Sequence, residues 1–543
     1  MFWADELASA VRGPQVVNDS KTPSGTIHVG ALRGVVIHDA IVRAVRAAGL
    51  EVRFLYGIDD LDPMDAHTLA AREGRLEDMG KPLAHIAPPA GSTASSWAEH
   101  FAGQFLDAFG RVGAHPELYR MSRLYAEGVV DGFIREALDR AAEVRRVYLE
   151  VSRSRKPDDW FPLQVICPGC GKVGTTVVDA WNGSEVHYRC EPGLVTWAQG
   201  CGRDGWISPF GGNAKLPWNL DWVAQWRHFG VTIEACGKDL STAGGSRERS
   251  DALAREVFGF EPPLNLAYEF VTVRGRKMKS SAGTGAAAHE MAELLPGDVL
   301  RFLMLRHRPR HAIDFDPSGD RVPRLFDEYD RIARAAAGLE VRGEIPADAD
   351  AIFRASLVDP SADAAVEGGR YRPAFAHVAF LVQVPGVDVE ARVAAEKGGP
   401  LDDAERAVVA ERSEVARRWL ADYAPEDARF ALDYDALPQE ARGLSPEQRL
   451  FLDALALRAE RDEPSTGDAW QAMIFAVAVE AGLPAGRAFA ALYLAFLGRT
   501  SGPRAGWLLA SLDRDFVLER LREAAGWQAG AGVSAPQSPG TQL

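Results

Sequence analysis

Cysteine is scarce in this chain: five residues in 543. A disulfide framework, and the compact secreted class that depends on one, is excluded. Long apolar runs are missing too. Runs such as Ala472 to Val479 fall far short of the ~20 residues a helix needs to span a bilayer, so no membrane partner is expected. The chain does not open on a basic, then apolar, then small-residue series, so no secretory leader is expected and the location is cytoplasmic. Excess positive charge is absent: the formal net charge is −15. That argues against DNA or any nucleic acid being held nonspecifically by overall charge, though a local basic surface remains open. There is no internal repeat. A chain this long exceeds one core, and about three or four domains are expected.

What is present is concentrated in Lys21-Thr22-Pro23-Ser24-Gly25-Thr26-Ile27-His28-Val29-Gly30-Ala31-Leu32-Arg33-Gly34. An apolar pair, Val16-Val17, leads into it. An amphipathic run follows, with Val35, Val36, Ile41, Val42 and Val45 apolar and Arg33, Asp39, Arg43 and Arg46 polar, and Gly49 ends it. Val52 to Tyr56 is the next strand. Strand, glycine-containing loop, helix and strand make a βαβ opening and predict a parallel sheet. A helix N-terminus suits phosphate, because its N–H groups are unpaired and its dipole is positive there. Gly30 lets a flat base or a ribose approach the backbone, and His28 can donate to phosphate oxygens as charge develops. Taken alone, the stretch suits an ordinary βα turn with a surface histidine equally well.

Trp97, Phe101, Phe105 and Phe109 recur at four-residue steps and predict a helix over 97–112. His115 to Arg120 is a strand, and Tyr125 to Val147 is one long helix. From 157 to 216 cysteine, glycine and tryptophan rise and periodicity fades, which marks an inserted small domain. Its knuckle Cys167-Pro168-Gly169-Cys170-Gly171 points two thiolates at one ion, and Cys190 and Cys201 can complete a structural zinc site. His187 is a spare ligand, so four Cys or three Cys and one His both stand. Cys236 is a small buried hydrophobe.

Asn219 to His228 predicts a helix with Trp222 and Trp226 on one side, and Val231 to Glu234 a strand running into Gly237-Lys238-Asp239-Leu240 and the Gly244-Gly245-Ser246 turn. A glycine turn at the carboxyl end of a parallel strand is where open α/β sheets hold ligands. Tyr268 to Val273 is a further strand, and the loop after it, Arg274 to Gly283, is basic and hydroxyl-rich. Lysines on such a loop can neutralise a leaving pyrophosphate, or simply solvate a turn. Residues 320–530 turn to Ala- and Arg-rich helical periodicity, with linker-like stretches at 340–365 and 385–400. The strongest helices are 470–481 and 486–497, and after the Gly502-Pro503-Arg504 turn come 507–512 and 516–525. The tail from 529 cannot bury enough apolar surface to order itself.

Together, the His28-Val29-Gly30-Ala31 loop after the first strand and Lys277-Met278-Lys279-Ser280-Ser281 after the last resemble the HIGH and KMSKS signatures of class I aminoacyl-tRNA synthetases. Thr22-Pro23-Ser24-Gly25, Asp59-Asp60-Leu61-Asp62, Trp218-Asn219-Leu220-Asp221-Trp222, Gly237-Lys238-Asp239, Tyr268-Glu269 and Gly502-Pro503-Arg504-Ala505-Gly506 resemble the class I lysyl-tRNA synthetases within that class. The resemblance implies a Rossmann-like parallel-sheet catalytic domain in two halves, 1–156 and 217–318, split by the zinc-binding insertion 157–216. An all-α anticodon-binding domain, 319–528, and a disordered tail, 529–543, complete the chain.

It implies that ATP and L-lysine form lysyl-adenylate and pyrophosphate, with Mg2+ on the phosphates, and that tRNA(Lys) then takes the lysyl group. His28, Gly30, Lys277, Lys279 and Ser280 are the implied catalytic residues. Pro23, Ser24, Gly25, Gly237, Asp239 and Met278 join them around ATP. Ser20, Thr22, Trp218 and Tyr268 match amino-acid pocket positions. A lysine stem needs an apolar or aromatic wall and its ammonium an anion. Trp218 and Tyr268 can supply the wall, or be core aromatics; Asp221, Asp59 or Asp60 can supply the charge, or cap helices. Three positions depart from the family: Ala31, Lys279-Ser280 with the charge moved by one place, and Leu240 where histidine is frequent. They leave room for a paralogue that activates an amino acid for an acceptor other than tRNA.

Overall fold

The computed structural model describes residues 1–273, 276–277 and 287–526, and these form two compact units. The first holds residues 1–316 and 328–369; the second holds 317–327 and everything described from 370 onward.

The first unit is built on a parallel sheet. After helix α1 (Trp3–Ala10), strand β1 (Gln15–Lys21) enters the loop before helix α2 (Val29–Ala47). Strand β2 (Val52–Ile58) then lies parallel to β1, with Gln15 opposite Val52 and Lys21 opposite Ile58. Helices α3 (His67–Arg72) and α4 (Trp97–Arg111) precede β3 (Glu117–Arg120), which is parallel to β2 on its far side. The predicted long helix over 125–147 is broken into α5 (Met121–Ala126), α6 (Asp131–Asp139) and α7 (Ala141–Ser152). Gly128, at φ 72°, turns the chain after the first of these.

The cysteine-rich insertion is a small antiparallel module. Strands β4 (Gln164–Val165), β5 (Thr176–Trp181), β6 (Val186–Cys190), β7 (Asp204–Ile207) and β8 (Ala214–Lys215) pair as β5-β6-β7, with β4 against β8 closing its base. The chain then enters α8 (Trp218–Phe229), which Gly230 ends at φ 64°. The predicted strand over 231–234 contracts to single parallel bridges from Ile233 to Val17 and to Leu264. Strand β9 (Cys236–Gly237) follows, then α9 (Ser246–Ala252) and β10 (Ala267–Tyr268), which pairs parallel with β9. The predicted strand over 268–273 is thus two pieces, β10 and β11 (Val271–Val273). Strand β12 (Arg276–Lys277), α10 (Ala288–Leu294), α11 (Gly297–Leu305) and β13 (Ile313–Asp314) complete the unit's sheet elements; β11 is antiparallel to β12 and parallel to β13. β1 thus has β2 on one side and the 233–237 segment on the other, so connectivity reverses at its carboxyl end, where open α/β sheets bind ligands.

Helix α2 is not the half-solvated helix its charge pattern predicts. Arg33 and His38 are both 0% exposed, and Asp39 is buried as well. The polar side chains pair inward, as burial requires. Arg33 donates to the carbonyls of Glu269 and His311 at 2.6 and 2.9 Å, and Asp39 binds Arg301 at 2.6 Å.

The second unit is helical; among the described residues no strand follows β13. Its helices include Asp403–Asp422, Pro446–Asp462, Gly467–Glu480, Ala485–Leu497, Ala505–Ser511 and Arg514–Gly526. Phe451, Leu455, Ile474, Phe496 and Leu521 lie in their shared core. Gly506 permits a close crossing: a Cβ there would stand 2.3 Å from the Gly467 carbonyl. Of the stretches read as linkers, 340–365 carries helices 349–356 and 364–369 of the first unit, and 385–400 carries helix 389–397, capped by the Asp388 side chain. No single described helix is long and apolar enough to cross a membrane. The predicted tail, 529–543, lies outside the described residues.

Candidate active site

His28 occupies the N-cap of α2, and no acidic residue lies in that helix's first turn, so nothing on the helix itself offsets its positive end. A Cβ on Gly30 would lie 2.8 Å from His28 Nδ1. The glycine therefore makes room for the imidazole itself, not only for an incoming ligand. Pro23 and Gly25 are buried, and the Trp97 indole donates to the Ser24 carbonyl at 3.1 Å, holding the loop on α4. At the end of β9, a Cβ on Gly237 would meet Asp239 Oδ1 at 2.9 Å. Lys277 sits in β12 with its backbone opposite Thr272. Met278, Lys279 and Ser280 lie outside the described residues.

The predicted pocket residues divide between the two faces of β1, as alternation along a strand dictates. On the α8 face, the Ser20 hydroxyl lies 3.0 Å from Asp59 Oδ2, and Gln225 Nε2 donates to Asp59 Oδ1 at 3.2 Å. The Thr22 hydroxyl lies 2.5 Å from Asp62 Oδ2. Asp62 and Asp221 are bridged by one buried ammonium, Lys215 Nζ, at 3.0 and 2.8 Å. Tyr125 donates to Asp221 Oδ1 at 2.7 Å and accepts from the Leu216 N–H at 3.0 Å. Burial drives the Asp59 carboxyl well above the usual carboxylate range, with Asp62 and Asp221 adding to the effect. Trp218 is 44% exposed and stacks on Trp222.

On the α2 face stand Tyr268 and Asp19. A Cβ on Gly34 would lie 2.6 Å from the Tyr268 hydroxyl and 3.2 Å from Asp19 Oδ2. His38 Nδ1, 3.5 Å from Asp19, donates to the Gly34 carbonyl at 2.7 Å, and His38 Nε2 accepts from the Ala235 N–H at 2.9 Å. These two bonds fix a neutral tautomer, and burial lowers the imidazole's pKa. Burial raises Asp19 to about 7.

Asp60 is committed elsewhere: it accepts from the Ser122 N–H at 2.7 Å and the Ser122 hydroxyl, at the start of α5. Glu234 is filled by Trp222 Nε1, Trp226 Nε1 and Asn18 Nδ2 at 2.8, 2.6 and 3.1 Å. Sequence reasoning missed Lys215, Gln225, Asp19 and Glu234. The one signal for Lys215 was a lone lysine between Ala214 and Leu216.

The four cysteines converge as the knuckle predicts. The Sγ atoms of Cys167, Cys170, Cys190 and Cys201 lie within 4.8 Å of one another, with Cys167–Cys201 at 3.6 Å and Cys170–Cys190 at 3.7 Å. A tetrahedral zinc with bonds of about 2.3 Å has edges of about 3.8 Å, so the thiols fit that ion. N–H groups of Gly169 and Cys201 point at the sulfurs of Cys167 and Cys190, at 3.4 and 3.3 Å. His187 is outside this group and binds Asp179 at 2.7 Å.

A family model described as tRNA synthetases class I (K) matches residues 1–356, and one described as an anticodon binding domain matches 411–525. The chain is 32% identical to lysine--tRNA ligase 1 of Methanosarcina acetivorans, over 97% of this chain and 98% of that protein. It is 31% identical to the lysine--tRNA ligase of Archaeoglobus fulgidus, over 96% and 100%, and 32% identical to that of Pyrococcus horikoshii, over 96% and 99%.

Proposed function

We propose a division of labour among these residues from one premise: the chain belongs to the class I lysyl-tRNA synthetases. It attaches L-lysine to tRNA(Lys) at the expense of ATP. The reading is carried by a match that spans nearly the whole chain, together with a βα loop whose helix N-terminus opens at the sheet's crossover point. The lysine carboxylate attacks the α-phosphorus of ATP, and the P–O bond to pyrophosphate breaks. A ribose hydroxyl of the tRNA end then attacks the lysyl carbonyl, and AMP leaves.

The N–H groups at the start of α2, with His28, receive phosphate oxygens as charge shifts toward the leaving pyrophosphate. Gly30 keeps the imidazole close to the helix axis; Pro23, Ser24 and Gly25 hold the loop's shape. Gly237 and Asp239 line the nucleoside. Lys277, with Lys279 and Ser280, supplies cationic and hydroxyl donors to pyrophosphate, and Mg2+ bound with ATP adds charge neutralisation there. Ser20, Thr22 and Asp59 form the amino-acid pocket, Trp218 gives its apolar wall, and Tyr268 bounds it on the α2 side. Cys167, Cys170, Cys190 and Cys201 hold a structural zinc. The stretches 1–156 and 217–318 are the catalytic halves around the 157–216 insertion, and 319–528 reads the anticodon arm. The reaction runs in the cytoplasm.

Charging of total tRNA by the purified protein, against each of the twenty amino acids in turn, tests this. Lysine alone is expected to become tRNA-linked. Pyrophosphate exchange with lysine but no charged tRNA would overturn the assignment of tRNA as acceptor.

A further inference from the structure

Resting on the reading of the Asp59 side of β1 as the amino-acid pocket, we propose that Lys215 is a specificity-determining positioning residue. It is a resident ammonium that occupies Asp62 and Asp221 and so reserves Asp59 for an ammonium of the substrate.

Three carboxylates, Asp59, Asp62 and Asp221, meet here around one buried lysine. Lys215 is 1% exposed. Its three N–H bonds all have takers: Asp62 at 3.0 Å, Asp221 at 2.8 Å and the Leu216 carbonyl at 3.2 Å. A saturated, doubly paired ammonium is neither a nucleophile nor a proton donor on call; the two acids hold its pKa up. What it does is remove two acids from competition. Asp221 is closed on its other oxygen by the Tyr125 hydroxyl and Asp62 by the Thr22 hydroxyl.

Asp59 is different. Its oxygens face only neutral donors, Ser20 Oγ and Gln225 Nε2, and no described cationic side chain lies within ion-pair distance of it. Asp59 is half-buried, and desolvation favours its protonated form over the bare carboxylate; an arriving ammonium draws off that proton and pairs with the carboxylate. Of the other acids nearby, Asp60 is used at the start of α5 and Glu234 by three N–H donors. Lys215 also explains why the insertion matters to the pocket. It sits on β8, paired with β4, at the base of the cysteine module. Without it, three acids would compete for one substrate ammonium, and that ammonium would lose its single register.

The test uses the full chain with Lys215→Met, Lys215→Arg, Asp59→Asn and Asp19→Asn, each checked by thermal melting. The readout is lysine-dependent ATP–pyrophosphate exchange, giving KM for lysine and for ATP separately. Asp59→Asn is expected to raise the lysine KM by about 30-fold or more, as removal of one member of a desolvated charge pair does, with the ATP KM moved less than threefold. Lys215→Met is expected to raise the lysine KM about tenfold with the ATP KM unmoved, and Lys215→Arg to recover most of it. Two inhibitors identify which ammonium Asp59 receives: norleucine keeps only the α-ammonium and 6-aminohexanoate only the ε-ammonium. The one weakened by Asp59→Asn names the group.

A folded Lys215→Met protein with wild-type lysine KM overturns the proposal. So does a lysine KM raised by Asp19→Asn and not by Asp59→Asn. If instead Asp59→Asn raises the ATP KM and spares lysine, the pocket reading itself falls.

Discussion

Taking a carboxylate out of water leaves it three courses, and the acids around β1 take all of them: Glu234 collects N–H donors, Asp62 and Asp221 take a lysine, and Asp19 holds its proton up to about pH 7. The last has a thermodynamic consequence. Asp19 titrates near 7 in the folded chain because burial strips its water, against an ordinary carboxylate value of 3.8. Below 3.8 both the folded and unfolded chains hold this proton. Between there and about 7 the folded chain holds more, so stability falls as pH rises, and the full cost is reached above 7. The difference corresponds to roughly 4 kcal/mol at most. Asp19→Asn is therefore expected to melt at the parent's temperature at pH 4 and several degrees higher at pH 8; equal melting temperatures at both would show that Asp19 ionises freely. Ser20, Thr22, Asp59 and Asp221 were legible as pocket candidates through the family resemblance, since each sits inside a short local motif. Lys215 and Gln225 were not, because their partners are assembled from 59, 62 and 221 by folding.

At the scale of the element, α2 concentrates the same logic. Its start, its loop and its end at Gly49, which takes φ 80°, all follow from local residue types. Its burial does not, since Arg33 and Asp39 read as a polar face until their partners arrive from 269, 301 and 311. The strand expected at 231–234 shortens for a related reason: β-branched residues favour pleated packing, but only Ile233 finds bridging neighbours. Gly34 is the helix position where propensity and site geometry conflict. Alanine there gains about 1 kcal/mol of helix propensity, yet its Cβ would stand 2.6 Å from the Tyr268 hydroxyl. Gly34→Ala is expected to displace Tyr268 and raise the lysine KM roughly tenfold, as small misplacements in a site do. Adding Tyr268→Phe removes the clashing oxygen, so the double variant should melt above Gly34→Ala alone. A melting temperature that drops further in the double variant would place the conflict elsewhere.

At the scale of the whole chain, the cysteine module meets the amino-acid-pocket acids at the β4–β8 pair. β4 ends at Val165, the Ile166 N–H donates to the Asn213 carbonyl at 2.9 Å, and Cys167 begins the knuckle; β8, opposite β4, carries Lys215. The four thiols lie on three separate stretches, so an ion held by all four would tie 167–170, 190 and 201 together. Structural zinc contributes folding free energy outright, and without it neighbouring thiolates repel. A Cys167→Ser/Cys170→Ser variant is therefore expected to lose its zinc, about one ion per chain by elemental analysis, and to melt earlier. Its effect should not stop at the module. If the β4–β8 pair loosens, Lys215 loses its seat between Asp62 and Asp221, and the lysine KM should rise while the ATP KM, which we propose is set at the α2 and β9 ends of the sheet, holds. The order of the two losses identifies the joint. A metal-free protein that melts early but keeps its lysine KM would mean that α8, through Asp221, is enough to hold Lys215; one that loses lysine affinity in step with zinc would make the insertion a working part of amino-acid selection.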